Sequence, residues 1–177
     1  MATHHSSITD EQAALIRNSR LFFVATADAS LAAGPNDVGP VNVSPKGGVP
    51  LHILGPNRVA YLDYRGSGNE TARHCAMGGP ITVMICSFEE GDAAIVRLFG
   101  KASVTPLAQS PLADLILQHQ ARELTGSARQ VIEVEVEKTM TSCGYGAPVM
   151  QFVRDRRVVD RGRRYKDKNA VRIPVST

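Results

Sequence analysis

The sequence predicts a mainly β fold, an antiparallel barrel of six or seven short strands with two or three short helices inserted between them. Three observations carry this. Short runs rich in β-branched and aromatic residues recur along the chain, separated by Gly, Pro and Asn turns. One of them, Val131 to Lys138, alternates strictly between Ile132, Val134, Val136 and Glu133, Glu135, Glu137, as a strand with one buried face must. The helical segments do not alternate regularly with the strands, which disfavours a doubly wound parallel sheet.

Taken in order, Thr9-Asp10-Glu11-Gln12 has the form of a capping box and predicts a short helix to about Asn18. Leu21 to Thr26 is an unbroken apolar run ended by polar residues and reads as a buried strand. Gly34-Pro35-Asn36-Asp37 marks a loop over 27–39. Val41 to Ser44 reads as a strand stopped by Pro45, and Gly47-Gly48 as a tight turn joining it in a hairpin to Val49 to Leu54. Gly55-Pro56-Asn57 turns the chain into a strand over Val59 to Tyr64. A short helix to about Met77 follows, closed by Gly78-Gly79-Pro80.

Ile81 to Phe88 and Ala93 to Val104 form a predicted hairpin around Glu89-Glu90-Gly91-Asp92. Ser110-Pro111 predicts a helix start, with Leu112, Leu115, Ile116 and His119 on one face of a helix running to about Glu123.

Length and composition bound the function. The chain has 177 residues, which fits one domain spanning 1–177. No apolar run approaches the ~18 residues of a membrane span. Residues 1–8 read as a loose polar tail containing His4 and His5, without the pattern of a secretion signal, so a cytoplasmic protein is expected. Two Asn-x-Ser/Thr sequons, at Asn42 and Asn69, are therefore not read as glycosylation sites. Cys75, Cys86 and Cys143 are an odd set without metal-site spacing, so a disulfide framework and a zinc site are not expected.

The net charge is +3, but Arg154 to Arg172 holds nine Lys or Arg against three Asp, all but Arg154 of them within a basic C-terminal extension over 155–177. Such asymmetry suits phosphate or nucleic acid, or simply a solvated tail. Aromatic residues there are only Phe152 and Tyr165, too few for a base-stacking platform, so nucleic acid is disfavoured as a partner.

The most informative stretch is Leu62-Asp63-Tyr64-Arg65-Gly66-Ser67-Gly68-Asn69-Glu70-Thr71-Ala72-Arg73. It sets a strand end, two glycines, small polar side chains and an Arg before a predicted helix. Glycines let the backbone approach an anion, a helix start turns N–H groups toward it, and a guanidinium binds it as a fork. A P-loop and a dinucleotide fingerprint are both excluded, the first for want of Gly-Lys-Ser/Thr, the second for want of a third small residue at Thr71. Alone, Gly66 to Asn69 could equally be a helix-capping turn. A second stretch, Asn42-Val43-Ser44-Pro45-Lys46-Gly47-Gly48, puts a point positive charge beside a hydroxyl, which suits a phosphate, the electron-rich end of a flavin, or a solvated hairpin Lys.

In order and spacing, these two stretches and Arg97-Leu98-Phe99-Gly100-Lys101-Ala102 resemble the pyridoxamine 5'-phosphate oxidase-like FMN-binding proteins, over roughly residues 10–150. Ser142-Cys143-Gly144-Tyr145-Gly146-Ala147-Pro148 is similar to the loop that ends the barrel in one branch of that family. The resemblance implies a split β-barrel whose homodimer interface forms two clefts, each taking one FMN. It implies that Lys46 and the strand before it, including Val43 and Ser44, face the isoalloxazine or the phosphate. Asp63, Tyr64 and Arg65 would border the cleft, and Gly66, Ser67, Asn69 and Thr71 would hold the phosphate. The members that oxidise vitamin B6 use a C-terminal Trp and Arg, and this chain has no Trp, so that reaction is not expected.

The function expected is an FMN-dependent oxidoreductase acting on a small molecule of undefined identity. Arg97, His74 and Tyr145 are candidates for the cleft, with His74 more simply read as a packed residue and Cys143 as an inert thiol. The alternative is a non-catalytic or differently loaded binder, with F420 or haem in the same cleft. Haem would want a His ligand, and F420 basic residues for its acidic tail.

Overall fold

The computed structural model describes residues 2–66, 68–118 and 128–156. Its first helix begins at the expected capping box: Thr9 Oγ1 accepts from the Gln12 backbone N–H at 3.2 Å and Gln12 Oε1 accepts from the Thr9 N–H at 3.1 Å. Helix α1 therefore runs Asp10–Asn18. The buried Gln12 also donates from Nε2 to Thr141 Oγ1 at 2.9 Å, docking the helix onto the sheet.

Eight strands form one sheet: β1 Ala2–His5, β2 Leu21–Ala27, β3 Val41–Gly47, β4 His52–Gly55, β5 Arg58–Tyr64, β6 Ile81–Cys86, β7 Ala94–Pro106 and β8 Ala128–Cys143. Two further α-helices, α2 Glu70–Ala76 and α3 Ala113–Leu117, are joined by 3-10 turns at Pro35–Asp37 and Leu107–Gln109. The strand order is β3-β2-β6-β7-β8-β5-β4, every pairing is antiparallel, and β1 pairs with the far end of β8. The sheet stays open because β3 and β4, at its two ends, share no ladder. This is a split barrel, mainly β, as the sequence predicts.

Four local expectations are corrected. The hairpin across Gly47-Gly48 does not form: β3 pairs with β2 and β4 with β5, the latter through the Pro56-Asn57 turn. Pro45 does not stop β3, which runs on to Gly47 with Pro45 opposite Phe23. As the end strand, β3 has one side where a missing N–H costs no ladder bond. The N-terminal residues are not loose, since Ala2 to His5 lie in register against Ser142 to Thr139; polar side chains hid a strand that is held by its backbone. Leu115 is exposed while Ile116 is buried, and α3 begins after Pro111, with the Ser110 hydroxyl accepting the Leu112 N–H at 3.2 Å. The expected extension of this helix through His119 to Glu123, and the basic segment beyond Arg156, lie outside the described residues.

The core is built from the inward positions of the middle strands, Val83, Ile85, Val96, Leu98, Ile132, Val134 and Val136, each worth ~1.5–3 kcal/mol when fully buried. The Phe22 and Tyr61 rings meet edge to face at 5.4 Å. A bulge between β7 and β8 puts Phe99 opposite Lys138 but Gly100 opposite Val136, so Glu137 is the extra residue. Inward parity therefore shifts from Val136 to Thr139, which is fully buried. Among the described residues no helix is long and apolar enough to cross a membrane.

Candidate functional site

Period-2 geometry divides β3 into two faces. Val41, Val43 and Pro45 are exposed, while Asn42, Ser44 and Lys46 point together to the other side. There they meet the end of β5 at Asp63 and Tyr64, the start of β8 at Arg129, and the residues leading into α2. The resulting cleft, about 210 Å³, is lined by Asn42, Ser44, Lys46, Asp63, Tyr64, Gly66, Gly68, Asn69, Glu70, Thr71 and Arg129.

Asp63 is its electrostatic centre. The Lys46 ammonium donates to Oδ1 at 2.9 Å, and Arg129 and the Gln130 amide donate to Oδ2 at 2.8 and 2.9 Å. Gln130 Nε2 also reaches Asn69 Oδ1 at 3.0 Å, and Asn42 Nδ2 donates to Thr71 Oγ1 at 3.2 Å. Burial would push the Asp63 carboxyl up, but the Lys46 charge and the hydrogen bonds from Arg129, Lys46 and Gln130 hold it below its ordinary 3.8. Asp63 is therefore ionised at neutral pH. The Lys46 ammonium also stands 5.8 Å from the Tyr61 ring centre.

Two cleft donors are left over. Ser44 Oγ and Arg129 Nε are buried and have no partner among the described residues. Buried polar atoms are nearly always paired, so these two orphans mark a place where a hydrogen-bond acceptor would complete the set.

Of the residues singled out in the sequence, the structure brings Ser44, Lys46, Asp63, Tyr64, Gly66, Asn69 and Thr71 into one cleft. Val43 lies on the exposed face of β3, and Arg65 is exposed and outside the lining. Ser67 lies outside the described residues. The helix start contributes side chains more than a dipole: α2 has seven residues, and a Cβ on Gly68 would collide with the Glu70 carboxylate folded over it. Sequence reasoning missed Arg129, Gln130 and Asn42. For Asn42 the only signal was parity, a polar residue between Val41 and Val43, while Arg129 and Gln130, adjacent at the start of β8, carried none.

The remaining candidates sit elsewhere. His74 is fully buried and hydrogen-bonded through both ring nitrogens, Arg97 donates to Ser142 Oγ at 3.0 Å, and Tyr145 is exposed. Cys75 and Cys86 are buried, with burial raising the Cys75 thiol to about 11, and Cys143 is exposed. No group of His, Cys, Asp or Glu among the described residues could hold a metal ion. A larger groove of about 440 Å³ lies over β5, β7 and β8, where Arg58 pairs with Glu133 and Lys101 donates to the Gly78 carbonyl.

An open antiparallel barrel with a polar cleft at the split, holding Lys46 and Arg129 beside Asp63 and Glu70, defines a split-barrel protein. The chain is similar to the pyridoxamine 5'-phosphate oxidase family. It is 35% identical over 158 residues to the pyridoxamine 5'-phosphate oxidase family protein ustO of Aspergillus flavus, a match that covers 88% of this chain and 59% of that protein. The fold is shared with a candidate pyridoxamine 5'-phosphate oxidase from Lactobacillus delbrueckii, with a TM-score of 0.55 and 21% identity, covering 76% of this chain and 94% of that one. A FAD-binding protein from Mesorhizobium loti superposes with a TM-score of 0.51 and 10% identity, covering 80% and 97%. No family model matches the chain.

Proposed function

We propose that the chain binds FMN with its phosphate in the Lys46–Arg129 cleft and works in the cytoplasm as a homodimeric FMN-dependent oxidoreductase on a small molecule. The observation that carries the cofactor is the pair of orphaned donors, Ser44 Oγ and Arg129 Nε, beside the Lys46 ammonium. A phosphate monoester brings three acceptor oxygens and about −1.5 to −2 charge, which suits them. Lys46 has donors beyond the one that Asp63 takes, and Arg129 has a guanidinium edge to spare. Asn42, Asn69 and Thr71 add neutral groups on the same wall.

The family of the Aspergillus relative and the FAD-binding description of the Mesorhizobium protein support a flavin. When bound, a flavin supplies hydride or single-electron transfer. The chain's own residues anchor the phosphate, orient the ring system and shape what reaches it. Haem is disfavoured because no histidine is among the residues lining the cleft. F420 rests on the basic run from Arg154 to Lys168 alone.

A second copy is supported by size. The cleft of about 210 Å³ is below the ~300–1,000 Å³ usual for a cofactor site, so one chain supplies only the phosphate end. Exposed Val41, Val43, Val149, Met150, Phe152 and Val153 offer apolar surface for a partner. Unpaired thiols suit a reducing compartment.

The test is mass identification of the small molecule released when purified full-length protein is denatured. FMN is the expected product. Release of haem or F420 instead, or no flavin together with no binding of added FMN, contradicts the proposal.

A further inference from the structure

Behind the cleft lies a chain of four hydrogen-bonded groups that plays no part in holding the ligand. Thr26 Oγ1, at the end of β2, is 2.9 Å from His74 Nδ1, and Arg73 NH2 is 2.8 Å from His74 Nε2. Arg73 NH1 donates at 2.8 Å to Asp28 Oδ2, while Asp28 Oδ1 accepts from the Ser30 N–H, the Ser30 hydroxyl and the Ala32 N–H. His74, Thr26 and Asp28 are all buried.

Arg73 has no acceptor, so His74 Nε2 must accept from it. A neutral ring then carries its proton on Nδ1 and donates to Thr26. The arrangement tolerates one protonation state. A second proton, on Nε2, would face an N–H of Arg73 across 2.8 Å and set two cations side by side in a buried site.

Two elements meet here. The 28–40 loop is pinched at its ends by the Asp28 N–H to Pro40 carbonyl bond of 2.8 Å. Its Gly34 packs against the Arg73 guanidinium, closely enough that a Cβ would come within 2.6 Å of NH2. Two residues past this loop comes Asn42, bonded to Thr71 of α2. Thr71 and His74 are three residues apart on one face of that helix. The relay thus ties the loop and the helix to each other and to β2, and both parts end in cleft residues.

We propose that Thr26, His74, Arg73 and Asp28 form a latch that positions α2 and the 28–40 loop behind the cleft, and that protonation of His74 opens it. The reading deepens the proposed anion site, whose ligand would then bind more weakly in acid. The groups that act on the ring are Arg73 and Glu70 from α2, Asp28 from the loop and Thr26 from β2. The cations on neighbouring β7 are engaged elsewhere, Lys101 on Gly78 O and Arg97 on Ser142. Burial, then the Arg73 charge, lower the His74 pKa from its ordinary 6.5, so the latch is closed at neutral pH and opens below that.

Hydrogen–deuterium exchange on the full chain without ligand tests this at about pH 7.5 and about pH 5.5, after correction for intrinsic rates. Amides over 28–40 and 70–79, including the Gly79 N–H bonded to the His74 carbonyl, are expected to lose protection by up to about tenfold at the lower pH. His74→Gln, which keeps an acceptor for Arg73 but cannot take a proton, should abolish that difference. Arg73→Ala, at a partly exposed site, should leave the loop unprotected at both pH values. Equal protection in the wild-type chain at both pH values overturns the latch, as does an undiminished pH response in either variant. None of these readouts requires FMN to bind, so failure of the flavin proposal leaves them intact. Where FMN does bind, its own phosphate titrates near pH ~6, and only the part of the pH dependence removed by His74→Gln belongs to the latch.

Discussion

The Lys46 ammonium stands 2.9 Å from the Asp63 carboxylate although β3 and β5, which carry them, share no ladder and lie near opposite ends of the sheet. The pair spans the split, with Arg129 of β8 held on the other carboxylate oxygen at 2.8 Å. One carboxylate thus gathers both cations of the cleft.

Removing that carboxylate should therefore cost the whole domain. Asp63→Ala leaves Lys46, Arg129 and Gln130 facing one another and is expected to lower the unfolding free energy by about 2–4 kcal/mol in urea titration. A loss under about 0.5 kcal/mol would show that the pairs are idle.

The same group makes stability acid-sensitive. Its folded pKa is depressed, so its contribution is complete above the unfolded value near 3.8 and is lost as pH falls through the lower folded value. Asp28, lowered to about 2 by its Ser30 hydrogen bonds, follows the same sign. The His74 contribution disappears at milder acidity, below its unfolded 6.5, because there it is the unfolded chain that gains the proton. Thermal midpoints against pH should fall in two separate steps, and His74→Gln should remove only the upper one.

Arg129 and Arg65 separate the cleft seen in the structure from the one read along the sequence. Arg129→Ala should weaken FMN binding by about 10- to 100-fold, the worth of a charged hydrogen bond, and Arg65→Ala by much less. Fluorescence titration measures both, and the reverse order would place the phosphate nearer Arg65.

Gly100 is required by a close backbone approach at the bulge. A Cβ there would lie 1.9 Å from the Glu135 carbonyl oxygen, which cannot swing away as a side chain could. Gly100→Ala should destabilise by more than about 3 kcal/mol in chemical denaturation.

Tyr61 offers a contrast, since its buried hydroxyl has no partner among the described residues. Tyr61→Phe should leave the thermal midpoint unchanged or raise it, because an unpaired buried hydroxyl costs free energy. A clear fall would reveal a hydrogen bond supplied by water.

Much of this was legible in the chain. The Thr9 and Gln12 pair fixes where α1 starts, the glutamates between Ile132 and Val136 show which face of β8 is wet, and Ile81 to Cys86 pairs with its neighbour as its turn suggests. What failed was partner choice. Gly47-Gly48 looked like a hairpin turn because turn chemistry is local, yet β3 chose β2 across a long loop. Ala2 to His5 carries no apolar pattern because its strand is held by backbone bonds. Arg129 reaches Asp63 only through folding, 66 residues away in sequence, so no spacing rule could pair them.

The most direct test compares FMN with riboflavin, which lacks only the phosphate, on the purified full-length chain. A cleft built on Lys46, Ser44 and Arg129 predicts that FMN binds at least about a hundredfold more tightly and that the advantage shrinks with salt. Equal affinity for the two, or no binding of either, would contradict it.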